Sequence, residues 1–204
     1  MKLTIQNPLS YLFAPLLAIG LVFGLSAWPQ EAEAHKGHAG PMVTFMKNKA
    51  ALKAMLPNGA KIVKRKQPLK EDAVEWAEKT YDVELDDQIY SYYLATDKKS
   101  GKLLGAAYVT QVHYRHGDLK IAVGIDADNH LTQTAILGIN EKYVVDFDGN
   151  VGTGLIKDYA GLSVKALIAK AGELASSDKA TREFAAAVRD AAVLLSAFTR
   201  PAGR

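Results

Sequence analysis

The sequence predicts an α+β domain in which an antiparallel four-strand meander is flanked by N-terminal helices and a long C-terminal helix. Between residues 89 and 137, four runs rich in aromatic and β-branched side chains are separated by short turns, a pattern typical of a meander. Between Phe184 and Phe198, apolar residues recur at spacings of three and four, which indicates an amphipathic helix. Strands and helices that occupy separate stretches of chain favour the α+β class, with the helices packed on one face or at the ends of the sheet.

The composition is that of an ordinary globular protein. Of the 204 residues, 49% are hydrophobic and 23% are charged, which argues against a disordered or low-complexity chain. The formal net charge of +3 is too small to favour nucleic acid as a partner. The chain has no cysteine, and this excludes disulfides, cysteine-based metal clusters, covalent c-type haem and thiol catalysis.

The N-terminus has the pattern of a secretory signal. Residues 11–28 carry no charge, Lys2 precedes them, and Ala32 and Ala34 offer a small-residue cleavage site. This order of features predicts a signal peptide over residues 1–34. The alternative is an uncleaved anchor formed by residues 11–28, which are close to the minimum length for crossing a bilayer. Both interpretations predict an exported, periplasmic protein.

Composition and helical spacing predict the structure of residues 35–81. Residues 35–44 are rich in His and Gly and are expected to form a loose arm. Residues 45–56 fit a short helix that stops before Pro57, and residues 69–81 fit a second helix with acidic residues in its first turn. The intervening basic stretch, residues 61–70, is expected to be a solvated face or loop. It is also a candidate surface for an acidic redox partner or anionic lipid headgroups.

The strands and the remaining helices follow from turn and capping residues. Ser163 is expected to cap a short helix over residues 164–171, and Asp178 to cap the final helix, which Pro201 ends. A glycine-rich loop at residues 148–154 lies between the sheet and these helices, and Tyr143, Phe147 and Tyr159 flank it as core residues or as ring-stacking residues. The predicted strands are residues 89–96, 103–114, 119–125 and 131–137.

Three stretches resemble the bacterial FMN-binding domain. That domain occurs in periplasmic flavin subunits of the Rnf and Na+-pumping NADH:quinone reductase complexes and in nitrous-oxide regulatory proteins. Residues 102–138 are similar to its strand–turn–strand core, with Gly117 and the Val-Gly-Ile-Asp run 123–126 in matching places. Residues 140–141 and 152–155 are similar to its glycine loop, and residues 159–163 are similar to the segment that follows. Residues 178–181, Asp-Lys-Ala-Thr, occupy the place of its Ser-Gly-Ala-Thr motif.

The resemblance implies an FMN-binding-like domain over residues 45–200 that takes part in electron transfer at the periplasmic face of the membrane. Its partner would be a periplasmic or membrane redox protein, and the membrane surface is a further candidate partner. The domain would have no catalytic residues of its own and would act as a carrier or accessory subunit. The residues implied in binding FMN are Glu141, Gly152, Thr153, Gly154, Tyr159, Lys179, Ala180 and Thr181.

The flavin-attachment motif is altered in this chain. In the family, the threonine that corresponds to Thr181 can be joined to FMN through a phosphoester. Here Lys179 replaces a glycine, Asp178 replaces a serine and Ala175 stands in place of an aspartate. We therefore expect FMN to be bound without a covalent bond. A helix start also attracts phosphate by itself, although the same residues fit a plain N-cap with a solvated lysine.

A second hypothesis concerns the His-rich arm. His35 and His38 stand near the predicted mature N-terminus, with Met42 and Met46 after them. Imidazole and thioether ligands suit copper. The alternative function is therefore a flavin-free accessory or copper-binding module built on the same fold.

Overall fold

The computed structural model describes residues 38–149 and 151–200. All of them belong to one compact unit, Glu31–Arg204. This unit contains the two apolar cores described below, so residues 31–204 are expected to fold without the preceding segment. The predicted signal or anchor segment and His35 lie outside the described residues.

Seven antiparallel strands form one sheet, in the spatial order β1-β6-β5-β4-β3-β2, with β7 also paired to β6. The predicted α+β class and the meander of β3 to β6 are confirmed. The strands are β1 (Met42–Thr44), β2 (Lys61–Pro68), β3 (Ile89–Thr96), β4 (Leu103–Tyr114), β5 (Gly117–Asp126), β6 (Leu131–Asn140) and β7 (Gly154–Ile156).

The helices flank this meander in the chain. The long C-terminal helix that periodicity predicts is present, and Asp178 caps it as expected. The α-helices are α1 (Asn48–Met55), α2 (Glu71–Tyr81), α3 (Val164–Glu173) and α4 (Lys179–Thr199). Short 3-10 helices cover Glu141–Asp146, Lys157–Tyr159 and Leu174–Ser176.

The two faces of the sheet carry side chains of different size. On β5, Leu119, Ile121 and Val123 belong to the large core that α2, α3 and α4 cover. The alternate residues of the meander are mostly alanines, and with α1 they form a second core that contains Ala107, Ala122, Ala135 and Leu137. The α+β pattern predicts helices on one face or at the ends of the sheet. They lie on both faces, because β5 and β6 are apolar on both sides.

Glycine lets α1 approach the sheet closely. A Cβ on Gly124 would lie 2.6 Å from the Cβ of Met55 and 2.6 Å from Oγ1 of Thr132. Since such contacts are shorter than a real Cβ tolerates, only glycine fits at this crossing. Thr132 also donates a hydrogen bond of 2.7 Å from its hydroxyl to the carbonyl of Met55, which fixes the end of α1 on β6.

Two segments differ from the sequence prediction. The basic stretch expected to be a solvated face or loop contains β2, which pairs with β3 from Lys61↔Thr96 to Pro68↔Ile89. Most of its side chains are exposed, because β2 is an edge strand. The arm expected to be loose contributes β1, in which Met42 pairs with Asn140, and Ala39 beside it is fully buried.

The helix α4 anchors the large core. Phe184, Val188 and Leu195 are fully buried along one side of it, and each buried side chain of this size contributes roughly 1.5–3 kcal/mol. At its C-terminal end the ring of Phe198 stacks on Tyr92, with 4.4 Å between the ring centroids. This packing fixes the C-terminal end of α4 on β3. The N-terminus of α4 lies at the other end of the helix.

Candidate functional site

A cavity of about 290 Å³ lies at the N-terminus of α4. Four segments meet there: the turn between β4 and β5, the 3-10 helix Glu141–Asp146, the glycine loop and the start of α4. Its lining residues are Tyr114, Arg115, Val145, Asp146, Gly149, Asp178, Lys179 and Ala180. We name it the α4 cavity. Its size is close to the lower limit of small-molecule pockets.

Arg115 is the central cation of the α4 cavity. Its Nε donates a 2.8 Å hydrogen bond to Oδ2 of Asp146, and its guanidinium carbon lies 5.6 Å from the ring centroid of Tyr114 and 5.9 Å from that of Tyr143. Its φ of 55° is in the left-handed region that side chains other than glycine rarely adopt. The two-residue turn between β4 and β5 accounts for it, because the favoured turns of this length have a positive φ at their first residue.

Tyr114 shares the same carboxylate. Its hydroxyl donates a 2.8 Å hydrogen bond to Oδ2 of Asp146. Burial is the largest cause of its raised pKa, so Tyr114 is neutral at ordinary pH. The neighbouring Tyr114 and Asp146 raise the pKa of Arg115. Arg115 therefore presents a permanent positive charge to the cavity.

The start of α4 is capped by Asp178. Its Oδ1 accepts a 3.0 Å hydrogen bond from the amide of Thr181, and its Oδ2 accepts a 2.7 Å hydrogen bond from the Thr181 hydroxyl. This cap accounts for the amide of Thr181 and not for the amides of Lys179 and Ala180, which are among the first-turn groups without partners inside the helix. The Lys179 ammonium lies 3.2 Å from Oε1 of Glu183.

Of the residues that the resemblance implies, Lys179 and Ala180 line the α4 cavity. Thr181 does not line it, and its hydroxyl is bound to Asp178. The glycine loop contributes Gly149. Gly152 does not line the cavity, and its amide donates to the Phe147 carbonyl at 2.8 Å.

The remaining implied residues lie elsewhere in the fold. Thr153 is exposed, and Gly154 pairs with Ile136 in the sheet. Glu141 begins the 3-10 helix, beside Gly40. Tyr159 is buried in the large core, where its ring centroid lies 5.6 Å from that of Phe184. Of the eight implied residues, Lys179 and Ala180 thus line the cavity beside Gly149, and the other six do not.

The other two aromatic residues considered for ring stacking are also core residues. Tyr143 and Phe147 both pack edge-on against Tyr114, with centroid distances of 5.7 Å and 5.1 Å. The exposed apolar side chain at the α4 cavity is Val145, which is 74% exposed.

Sequence reasoning missed Arg115, Val145 and Asp146. The turn after β4 was recognised, and a charged residue inside a tight two-residue turn was the available signal for Arg115. Nothing local links it to Asp146, because the two residues are 31 positions apart.

The described part of the proposed copper arm shows no cluster. His38 is exposed, whereas Met42 packs over Gly138 and Met46 joins the small core. Within residues 38–149 and 151–200, no three His, Asp or Glu side chains converge as a metal site. His35 lies outside these residues.

In the same two stretches, no helix has the length and apolarity needed to cross a membrane. Comparisons of the chain with protein-family models, curated proteins and solved structures gave no match.

Proposed function

We propose that this protein is an exported electron carrier that binds FMN non-covalently at the α4 cavity. The observation that carries the proposal is that Lys179 and Ala180, at the α4 start that resembles the FMN-binding domain, share one cavity with Gly149 of the glycine loop. Arg115 adds a second cation there. The flavin would supply the redox chemistry, and the protein would supply binding and orientation.

The α4 cavity fits the phosphate end of FMN in charge and space. Arg115 and Lys179 are cations, the dipole of α4 adds positive potential at its N-terminus, and Gly149 and Ala180 have little or no side chain. Two carboxylates, Asp146 and Asp178, also line the cavity and oppose an anion. Binding therefore requires Arg115 to exchange part of its contact with Asp146 for contact with phosphate.

The residues of the α4 cavity would each make a different contact with FMN. Arg115 and Lys179 neutralise the phosphate, and the first-turn amides of α4 donate hydrogen bonds to it. Val145 offers an exposed apolar surface at the rim of a cavity too small to enclose a whole flavin. A partly exposed flavin suits electron exchange with a periplasmic or membrane redox partner.

The test is titration of residues 31–204 with FMN, followed by flavin fluorescence and co-elution. Arg115→Ala and Lys179→Ala should each weaken binding about two- to fivefold, because each removes one partly exposed charge contact to phosphate. The intact mass should show no covalently added FMN, since the Thr181 hydroxyl is held by Asp178.

Lys79→Ala is the matched control. Lys79 forms the same kind of exposed ion pair, four residues apart with Glu75, at 3.3 Å on α2. It should leave FMN affinity unchanged. No binding of FMN at micromolar concentration, or equal losses for Lys79→Ala and Lys179→Ala, would show the proposal to be wrong.

A further inference from the structure

A larger hollow lies on the other face of the sheet, between α1 and β2. It has a volume of about 520 Å³ and is lined on its apolar side by Leu52, Leu56, Ala60, Ile62 and Tyr93. Ile62 is 45% exposed, although a β-branched apolar residue on an edge strand would normally be covered or replaced. We name this hollow the α1 groove.

Lysines without acidic partners surround the α1 groove. Lys49 and Lys53 on α1 line it, and Lys64 and Lys120 line an adjoining hollow of about 220 Å³ that shares Asn48 and Tyr93 with it. Neither hollow is lined by a carboxylate. Among the described residues these four lysines form no ion pair.

On β5, the carboxylates on the same side of the sheet as α1 stand at the two ends of the strand. Asp118 pairs in register with His113 at one end of β5. Asp126 stands at the other end, where its Oδ1 accepts hydrogen bonds from the amides of Asp128 and His130, both at 2.9 Å. The centre of the face is therefore positively charged, and its cations are available to an external anion.

Protection of an edge strand explains only part of this pattern. Lysines on β2 discourage pairing with another chain. Lys49 and Lys53 on α1 and Lys120 on the central strand β5 protect no edge. An exposed isoleucine on β2 works against such protection, so the combination of cations with an apolar groove needs a different explanation.

We propose that the α1 groove and its lysines form a peripheral docking surface for an anionic phospholipid bilayer. Surfaces that bind such membranes combine lysines, which attract the headgroups, with aliphatic and aromatic side chains that enter the interface. Ile62, Leu52 and Tyr93 provide that apolar component between the lysines. An acidic protein would account for the lysines but not for the exposed Ile62. This proposal is independent of FMN binding at the α4 cavity, on the opposite side of the sheet.

The test uses residues 31–204, so that the uncharged segment 11–28 does not contribute. Sedimentation with vesicles of phosphatidylcholine alone is compared with vesicles that also contain phosphatidylglycerol. We expect binding only to the mixed vesicles, and we expect added salt to weaken it. Lys53→Ala/Lys64→Ala should lower the affinity about tenfold or more.

The matched control is Lys79→Ala/Lys165→Ala, which removes the same charge from α2 and α3, the helices on the other face. It should change the affinity less than about twofold, whereas general attraction of a cationic protein would lower both double variants equally. Equal losses, or equal binding to phosphatidylcholine alone, would overturn the proposal.

The apolar component has its own test. Ile62→Ser should weaken vesicle binding without changing its dependence on salt, because it removes no charge. Leu155→Ser is the control, since Leu155 is 39% exposed on β7 at the opposite edge of the sheet.

Binding to soluble polyglutamate but not to vesicles would identify an acidic macromolecule as the partner and reject the bilayer. Circular dichroism of each variant checks that the fold is retained.

Discussion

Thr181 lies at the position where the resemblance implies flavin attachment, yet both its amide and its hydroxyl are bound by the carboxylate of Asp178. A hydroxyl that donates to a capping carboxylate is tied to the helix start. The same carboxylate places a negative charge beside the position that a phosphoester would occupy. The side chain of Thr181 is thus assigned to helix capping.

Thr181→Ala should therefore affect stability more than flavin binding. The change removes one hydrogen bond to a charged acceptor and should lower the free energy of unfolding by roughly 0.5–1.5 kcal/mol, while FMN affinity falls less than in Lys179→Ala. Urea unfolding and FMN titration measure the two effects. Thr199→Ala, which removes a 2.8 Å hydrogen bond to the Leu195 carbonyl at the other end of α4, is the control. A larger loss of FMN binding than in Lys179→Ala would place Thr181 at the phosphate.

At the scale of elements, α1 crosses β5 at Gly124. Among the glycines of the sheet, this is the position where a helix approaches most closely. Gly124→Ala would place its methyl group 2.6 Å from both Met55 and Thr132, so α1 must shift. We expect a loss of about 1–3 kcal/mol in the free energy of unfolding, measured by urea unfolding.

Gly172→Ala is a control that should change the free energy of unfolding in the opposite direction. Gly172 lies inside α3 with no atom within 4 Å of an added Cβ. Alanine should therefore stabilise the protein by roughly 0.5–1 kcal/mol. Unchanged stability in Gly124→Ala would mean that α1 is not packed closely on β5.

The elements also show where pattern reading succeeds. The strands β3 to β6 were predicted with nearly their observed bounds, because alternation and turn residues are local signals. The strand β2 was not predicted. With one neighbour and mostly exposed side chains, it does not need the alternation of apolar residues that identifies a half-buried strand.

At the scale of the whole molecule, tyrosine burial makes the free energy of unfolding depend on pH in the alkaline range. Burial is the largest cause of the raised pKa of Tyr90, Tyr92, Tyr114 and Tyr159 above the ordinary 10.0. Above about pH 10 the unfolded chain loses these protons before the folded chain does. The free energy of unfolding should therefore be insensitive to these groups below that pH and decline above it.

Tyr159→Phe tests this alkaline dependence. It keeps the ring against Phe184 and removes one ionisable group, so the decline above about pH 10 should become shallower. Urea unfolding across this pH range measures the slope. An unchanged slope in Tyr159→Phe would show that Tyr159 titrates alike in the folded and unfolded chains.

The sequence by itself determined the α+β class, the meander, the long C-terminal helix and the cap at Asp178, since each depends on residues only a few positions apart. Only the tertiary structure decided that α1 covers a second face of the sheet, that Arg115 meets Asp146 at the start of α4, and that Tyr159 is a core residue. Strand register and helix packing join residues that are distant in the chain, and no local pattern specifies such contacts. For the same reason the α4 cavity and the α1 groove are properties of the fold.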